Sequence, residues 1–249
     1  MSPHVVQLYD ADEASLTRNV GRYFYEGWQL GEGMLVIAGQ EHAAAFTAEL
    51  ERLGVDVAAA VRDHRLAVLD ASSTLARFTV DGTIDRRLFR RTAEAALRAL
   101  RPVGGAGIRA FGEMVGILWQ AGGIDAAMEL ETLWNELQAE QRFGIFCAYP
   151  IDVFDAAFHA GAVDRLLCSH SELIPTGSER NLESAIERAM SDVLGQRAAG
   201  LRPLMTANFR PAWGKVPAGE ALILWLRNNL PDYADEILGR ARTYYRACA

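Results

Sequence analysis

Short apolar runs alternate with longer amphipathic ones through the first 175 residues, the pattern left in a sequence by repeated strand–helix units. The apolar runs predict strands at 4–9 (HVVQLY), 33–38 (GMLVIA), 66–70 (LAVLD), 107–114 (GIRAFGEM) and 143–149 (FGIFCAY), with a further one at 163–169 (VDRLLCS). The segments between them predict helices near 12–29, 41–52, 72–79, 85–101, 113–121 and 125–140. Several runs are apolar at consecutive positions, as in strands covered on both faces, so the expected fold class is α/β with a three-layer, mainly parallel sheet. In the helix at 125–140, Ala127, Leu130, Trp134 and Leu137 recur at spacings of three and four and define a buried stripe. Asp125, after AGG, is the expected N-cap of that helix, and Asp12 that of the first one.

The character changes at LIPTGSE (173–179). Pro175 and Gly177 mark a turn and Ser178 can cap a helix whose apolar face runs from Leu182 to Leu194 and ends near Gly195. A loop rich in Gly and Pro, roughly 200–219, leads to two more helices separated by Pro231. The expected organisation is an α/β domain over 1–175 and a C-terminal helical extension over 176–249.

Composition narrows the function classes. Half of the 249 residues are apolar, mean hydropathy is near zero, and no apolar run approaches a membrane span, so a cytoplasmic chain without membrane contact is expected. A net charge of −7 gives no electrostatic footprint for nucleic acid. The charge is uneven: residues 1–175 hold 15 basic against 24 acidic side chains, and 176–249 hold 10 against 8. Lys215 is the one lysine. Cys147, Cys168 and Cys248, odd in number and far apart, suit reduced thiols better than a disulfide framework.

A phosphate loop needs bare glycine amides and a lysine to hold a polyphosphate. After the first strand this chain has YDADEASL, with neither, and Asp10, Asp12 and Glu13 would repel a triphosphate. The segment FYEGWQLGEGMLVIAGQEH (24–42), followed by LGVDV and RLAVLD, nevertheless resembles the KaiC-like branch of RecA-fold ATPases. Closer still is the succession HVVQLYDADE (4–13), EGWQLGEGMLVIAGQEH (26–42), GVDV (54–57), RLAVLDASSTLARFTVDG (65–82), IRAFGEMVGILWQAGG (108–123), LETLWNEL (130–137) and FGIFCAYP (143–150). Over about residues 3–172 it resembles the MEDS domain, the methanogen/methylotroph DcmR sensory domain. That resemblance implies a RecA/KaiC-like fold without the ATPase motifs, used for signal transduction and transcription regulation by joining a small, hydrocarbon-derived ligand to a kinase or transcription-regulator partner. This chain shows neither a kinase ATP-binding signature nor a DNA-reading helix in its tail.

Ligands of open parallel sheets sit beyond the carboxyl ends of the strands. The candidate ligand-binding set is therefore Tyr9, Asp10, Glu113, Trp119, Trp134, Asn135 and Tyr149, aromatic walls with polar anchors. The competing reading makes Trp119 and Trp134 core residues and Glu113 a helix cap satisfied by Glu131 or Asn135. The same strand-end rule nominates Gln40, Glu41 and His42 after the second strand and Asp70 after the third. Glu41 stands where KaiC-like ATPases carry the residue that activates water, yet a base without a bound triphosphate has nothing to act on, so a helix-start carboxylate is expected. Cys168 and His170 form a short C-x-H with Cys147 and His159 in reach, but zinc sites show tighter pairing, so neither metal nor cofactor is expected. The reading is a non-catalytic sensory protein with no catalytic residue. The alternatives are a divergent nucleotide-binding ATPase, and a ligand-free scaffold whose tail helices pair with another protein or a second copy.

Overall fold

The computed structural model describes residues 3–10, 13–201 and 216–247. Asp12, Lys215, Cys248 and most of the loop at 200–219 lie outside them. Contacts divide the chain into two compact units, one of residues 3–6 and 13–150, the other of 7–10, 151–201 and 216–247. The division falls ahead of the change in sequence character at 173–179.

The chain order is β1 (His4–Leu8), α1 (Ala14–Gln29), β2 (Gly33–Ala38), α2 (Gln40–Arg52), α3 (Val57–Arg62), β3 (Leu66–Asp70) and α4 (Ala71–Ala76). A short hairpin of β4 (Thr79–Val80) and β5 (Thr83–Ile84) precedes α5 (Arg86–Ala99), β6 (Ile108–Gly112), α6 (Met114–Gln120), α7 (Ile124–Glu140) and β7 (Phe143–Tyr149). Then come α8 (Ala160–Ser169), β8 (Glu172–Ile174), α9 (Glu179–Leu194), α10 (Ala218–Asn229) and α11 (Pro231–Ala247). Among the described residues a six-stranded sheet has the order β3-β2-β6-β7-β1-β8. The pairs β2–β3, β2–β6 and β6–β7 are parallel.

Burial follows strand position. Every residue of β1, β2 and β7 is buried, whereas the edge strand β3 alternates and leaves Val68 40% exposed. That contrast separates a strand covered on both faces from one at the rim. From β2 the chain steps outward to β3, then returns past β2 to β6 and on to β7. With right-handed crossovers, this reversal sends the helices to opposite faces. Accordingly α1 packs on α2 and α2 on α3, while α4 packs on α6, and α5 and α6 pack on α7. The switch point lies between β2, which feeds α2 toward one face, and β6, which feeds α6 toward the other.

The stripe in α7 is buried as its spacing predicts, Ala127, Leu130, Trp134 and Leu137 each being no more than 2% exposed. Its N-cap is Gly123, with Asp125 in the first turn, which corrects the expectation of an Asp125 cap. The strand expected at 163–169 is helical. Ala162, Leu166 and Leu167 are buried while Asp164 and Arg165 are exposed, a helical spacing, and the side chain of His159 accepts a bond from the Ala162 amide at 3.4 Å. The sequence reading also passed over α3, capped by Asp56, and the β4–β5 hairpin, whose turn places Asp81 and Gly82 at φ of 50° and 77°.

In the second unit, α9 packs against α10 and α11. Ser178 accepts from the Asn181 amide at 3.4 Å and Gly195 closes the helix at φ 58°. Pro231 opens α11 and so ends α10, as its position in the sequence predicts. Among the described residues no helix is long and apolar enough to cross a membrane.

Candidate functional site

The switch point between β2 and β6 carries a compact polar group. Gly39 directly follows β2 and is the N-cap of α2, a position whose amide has no partner inside the helix. Glu113 ends β6. It stands at the N-cap position of α6 but makes no side-chain cap there, and its carboxylate crosses the crevice instead. Oε1 accepts from the Gly39 amide, and Oε2 accepts from His42 Nδ1 at 2.6 Å. A Cβ on residue 39 would lie 2.9 Å from Glu113 Oε1, so glycine permits this approach. On the other side of the imidazole, Nε2 lies 3.2 Å from Oε2 of Glu13, just ahead of α1. His42 stacks on Phe46 at 5.5 Å between ring centroids, which fixes the ring plane.

The electrostatics follow from this geometry. The bond to Glu113 raises the pKa of His42 above its ordinary value, burial opposes the shift, and the charges of Glu113 and Glu13 add to it. An imidazolium between two carboxylates leaves the crevice with excess negative charge. Glu113 also fills the place that the positive end of the α2 dipole offers to an anion.

A second polar cluster lies inside the same unit, under α7. His4 of β1 sends Nδ1–H to Asn135 Oδ1 at 2.8 Å, and its Nε2 lies 3.2 Å from Glu131 Oε2 and 3.4 Å from Cys147 Sγ. The Cys147 thiol and Glu131 Oε2 are 3.6 Å apart, and Tyr149 O–H donates to Glu131 Oε1 at 2.7 Å. Burial pushes the Cys147 thiol and the Tyr149 phenol well up, and the Glu131 charge adds to both. Trp119, half-buried on α6, meets the Tyr149 ring edge-on at 5.5 Å. Close packing of α6 on β7 sets that contact: a Cβ on Gly116 would sit 2.8 Å from the Ala148 carbonyl oxygen.

The family model for the methanogen/methylotroph, DcmR sensory domain, MEDS, matches residues 3–171. The chain belongs to the MEDS family. No curated protein matches it.

Of the candidates read from sequence, the MEDS fold joins Asn135, Tyr149 and Trp119 through the His4–Glu131 network. Glu113 belongs to the separate switch-point group, and its partners are His42 and Gly39 rather than Glu131 or Asn135. Trp134 is 1% exposed and lies edge-on to Phe89 at 4.9 Å and to Phe143 at 6.1 Å, a core position. Tyr9 and Asp10 belong to the second unit, where Asp10 faces Arg246 at 3.6 Å. Glu41 is exposed in the first turn of α2, and Asp70 caps α4 by accepting from the Ser73 amide at 2.7 Å. His42 is among the residues that the strand-end rule nominates, although the ligand-binding set leaves it out; His4, Gly39, Glu13 and Glu131 lie outside both. The available signal was periodicity: Glu131 follows Leu130 and sits three before Trp134 on the buried side of α7.

Proposed function

We propose that this MEDS domain is a non-catalytic, cytoplasmic signal-input module whose switch-point crevice receives a small, uncharged or cationic, hydrocarbon-derived ligand. The single observation behind this reading is Glu113 holding the Gly39 amide and His42. A carboxylate already occupies the N-terminus of α2, which would otherwise offer an anion a place at the switch point, and Glu13 adds a second negative charge. A polyphosphate would have to displace both without a lysine, whereas a neutral alcohol or an amine can exchange hydrogen bonds with Glu113 and His42. In this account the domain is a RecA/KaiC-like scaffold with its nucleotide function lost, and the signal passes through the helices after residue 176 to a kinase or transcription regulator. Only a ligand with different affinities for two arrangements of the chain can drive that output.

The test is a nuclear magnetic resonance titration of the full chain with short-chain alcohols, amines and halogenated methanes, following the His42 ring and the Gly39 amide. The reading expects one class to shift both signals in a saturable way, with the response lost in Glu113→Gln. Saturable shifts confined to residues far from β2 and β6 would contradict it.

A further inference from the structure

The buried cluster of His4, Glu131 and Cys147 has the composition of a metal site, and its dimensions match one. With zinc-to-ligand distances of about 2.0–2.1 Å to nitrogen or oxygen and about 2.3 Å to sulfur, a tetrahedral ion holds its ligands about 3.3 Å apart for an N–O pair and about 3.5 Å apart for a pair including sulfur. The corresponding edges here are 3.2 Å from His4 Nε2 to Glu131 Oε2, 3.4 Å from His4 Nε2 to Cys147 Sγ, and 3.6 Å from Cys147 Sγ to Glu131 Oε2. All three edges join the same three atoms. They form one triangular face of a coordination tetrahedron, already at the spacing an ion would impose.

The atoms that would not bind the ion are held by the surroundings. His4 Nδ1–H donates to Asn135 Oδ1 at 2.8 Å, the tautomer that turns the Nε2 lone pair toward the triangle. Tyr149 O–H donates to Glu131 Oε1 at 2.7 Å, which holds the carboxylate with Oε2 on the triangle, beside His4 and Cys147. A histidine with its second nitrogen fixed by an amide and a carboxylate with its second oxygen fixed by a phenol are the outer contacts that metal ligands require. The ligands are buried, none more than 4% exposed, and come from β1, α7 and β7.

We propose that His4, Glu131 and Cys147 bind a divalent cation of the zinc class, with Asn135 and Tyr149 as positioning residues. Imidazole, thiolate and carboxylate in tetrahedral array favour zinc over magnesium or calcium, which take oxygen ligands. Binding replaces the thiol proton by the cation and releases that proton to solvent; no redox step is involved. The ion ties the first strand of the chain to a strand and a helix more than 120 residues further on. Zinc occupancy would therefore stabilise the first unit.

The test uses the full chain carrying Cys168→Ser and Cys248→Ser, which leaves Cys147 as the sole thiol. Metal is stripped with a chelator and cobalt(II) or zinc(II) is added alone. The proposal expects one equivalent of cobalt with a near-ultraviolet thiolate charge-transfer band and strong visible bands, whose intensity reports whether a fourth ligand completes the tetrahedron. Adding Cys147→Ser removes the thiolate band. Asn135→Ala, which leaves every ligand in place, lowers zinc affinity by about 10- to 100-fold in competition with a chromophoric chelator. Circular dichroism of each apo variant shows that it is folded, and should Cys147→Ser not fold, His4→Gln and Asn135→Ala carry the comparison. Absence of zinc and cobalt binding at micromolar concentration, or binding that survives with no thiolate band and no sensitivity to Asn135, overturns the proposal.

Discussion

His42 Nδ1 stands 2.6 Å from Glu113 Oε2, so a helix-borne imidazole and a strand-end carboxylate 71 residues apart in sequence meet at the switch point between β2 and β6. Because this bond raises the pKa of His42, the folded chain holds the imidazole proton more tightly than the unfolded chain does. The resulting stabilisation is fully present below the ordinary histidine value of about 6.5 and is lost as pH rises through the higher folded value. The resistance of the wild type to urea is expected to fall as pH rises over that window, and His42→Gln to flatten this component. Glu113→Gln is expected to cost about 2–3 kcal/mol at pH values where His42 is charged, since it removes a charged hydrogen bond inside a buried group.

Gly116 controls how closely α6 lies on β7. Its missing Cβ would meet the Ala148 carbonyl oxygen at 2.8 Å and Pro150 Cδ at 2.9 Å, and both belong to backbone or to a rigid ring. Gly116→Ala is expected to destabilise by about 1–3 kcal/mol. It should also move Trp119 from Tyr149, read as a change in near-ultraviolet circular dichroism.

Tyr149→Phe removes the hydroxyl that donates to Glu131 at 2.7 Å and leaves a fully buried carboxylate oxygen without that donor. The expected cost in the metal-free protein is about 1–3 kcal/mol by urea unfolding.

Glu220, 1% exposed on α10, accepts from the Thr176 amide at 3.0 Å and from its hydroxyl at 3.1 Å. Burial raises its pKa more than these bonds lower it. A raised carboxyl pKa means stability is greatest below the unfolded value and declines as pH rises through the folded one. Glu220→Gln is expected to abolish that decline and to make the protein more stable than wild type at neutral pH, measured by unfolding at pH values on both sides of the transition.

The sheet was legible because burial on both faces writes itself into a strand as an unbroken apolar run: β2 and β7 begin and end where GMLVIA and FGIFCAY do, and the rim strand β3, exposed on one face, still matches LAVLD. The segment 163–169 misled because Leu166–Leu167–Cys168 is apolar at neighbouring positions, which a buried helix turn also produces. The helix α3 is one and a half turns of VAAAVR, too short to establish a period, and only the Asp56 cap marks it. The site was less legible than the fold. The strand-end rule reaches Glu113 and His42 separately, but their pairing across the switch point depends on the β2–β6 register, which no local pattern reveals. His4 lies in an apolar run, and only the pairing of distant strands brings it to Glu131 and Cys147.

The central claim is that Glu113 has taken the anion position at the switch point, so that nucleotide cannot bind there. Isothermal calorimetry of the full chain with Mg-ATP tests it most directly, with Glu113→Gln alongside. The account predicts no saturable heat for the wild type at concentrations up to the millimolar range. Micromolar Mg-ATP binding by the wild type, weakened by substitutions at Gly39 or His42, would contradict it.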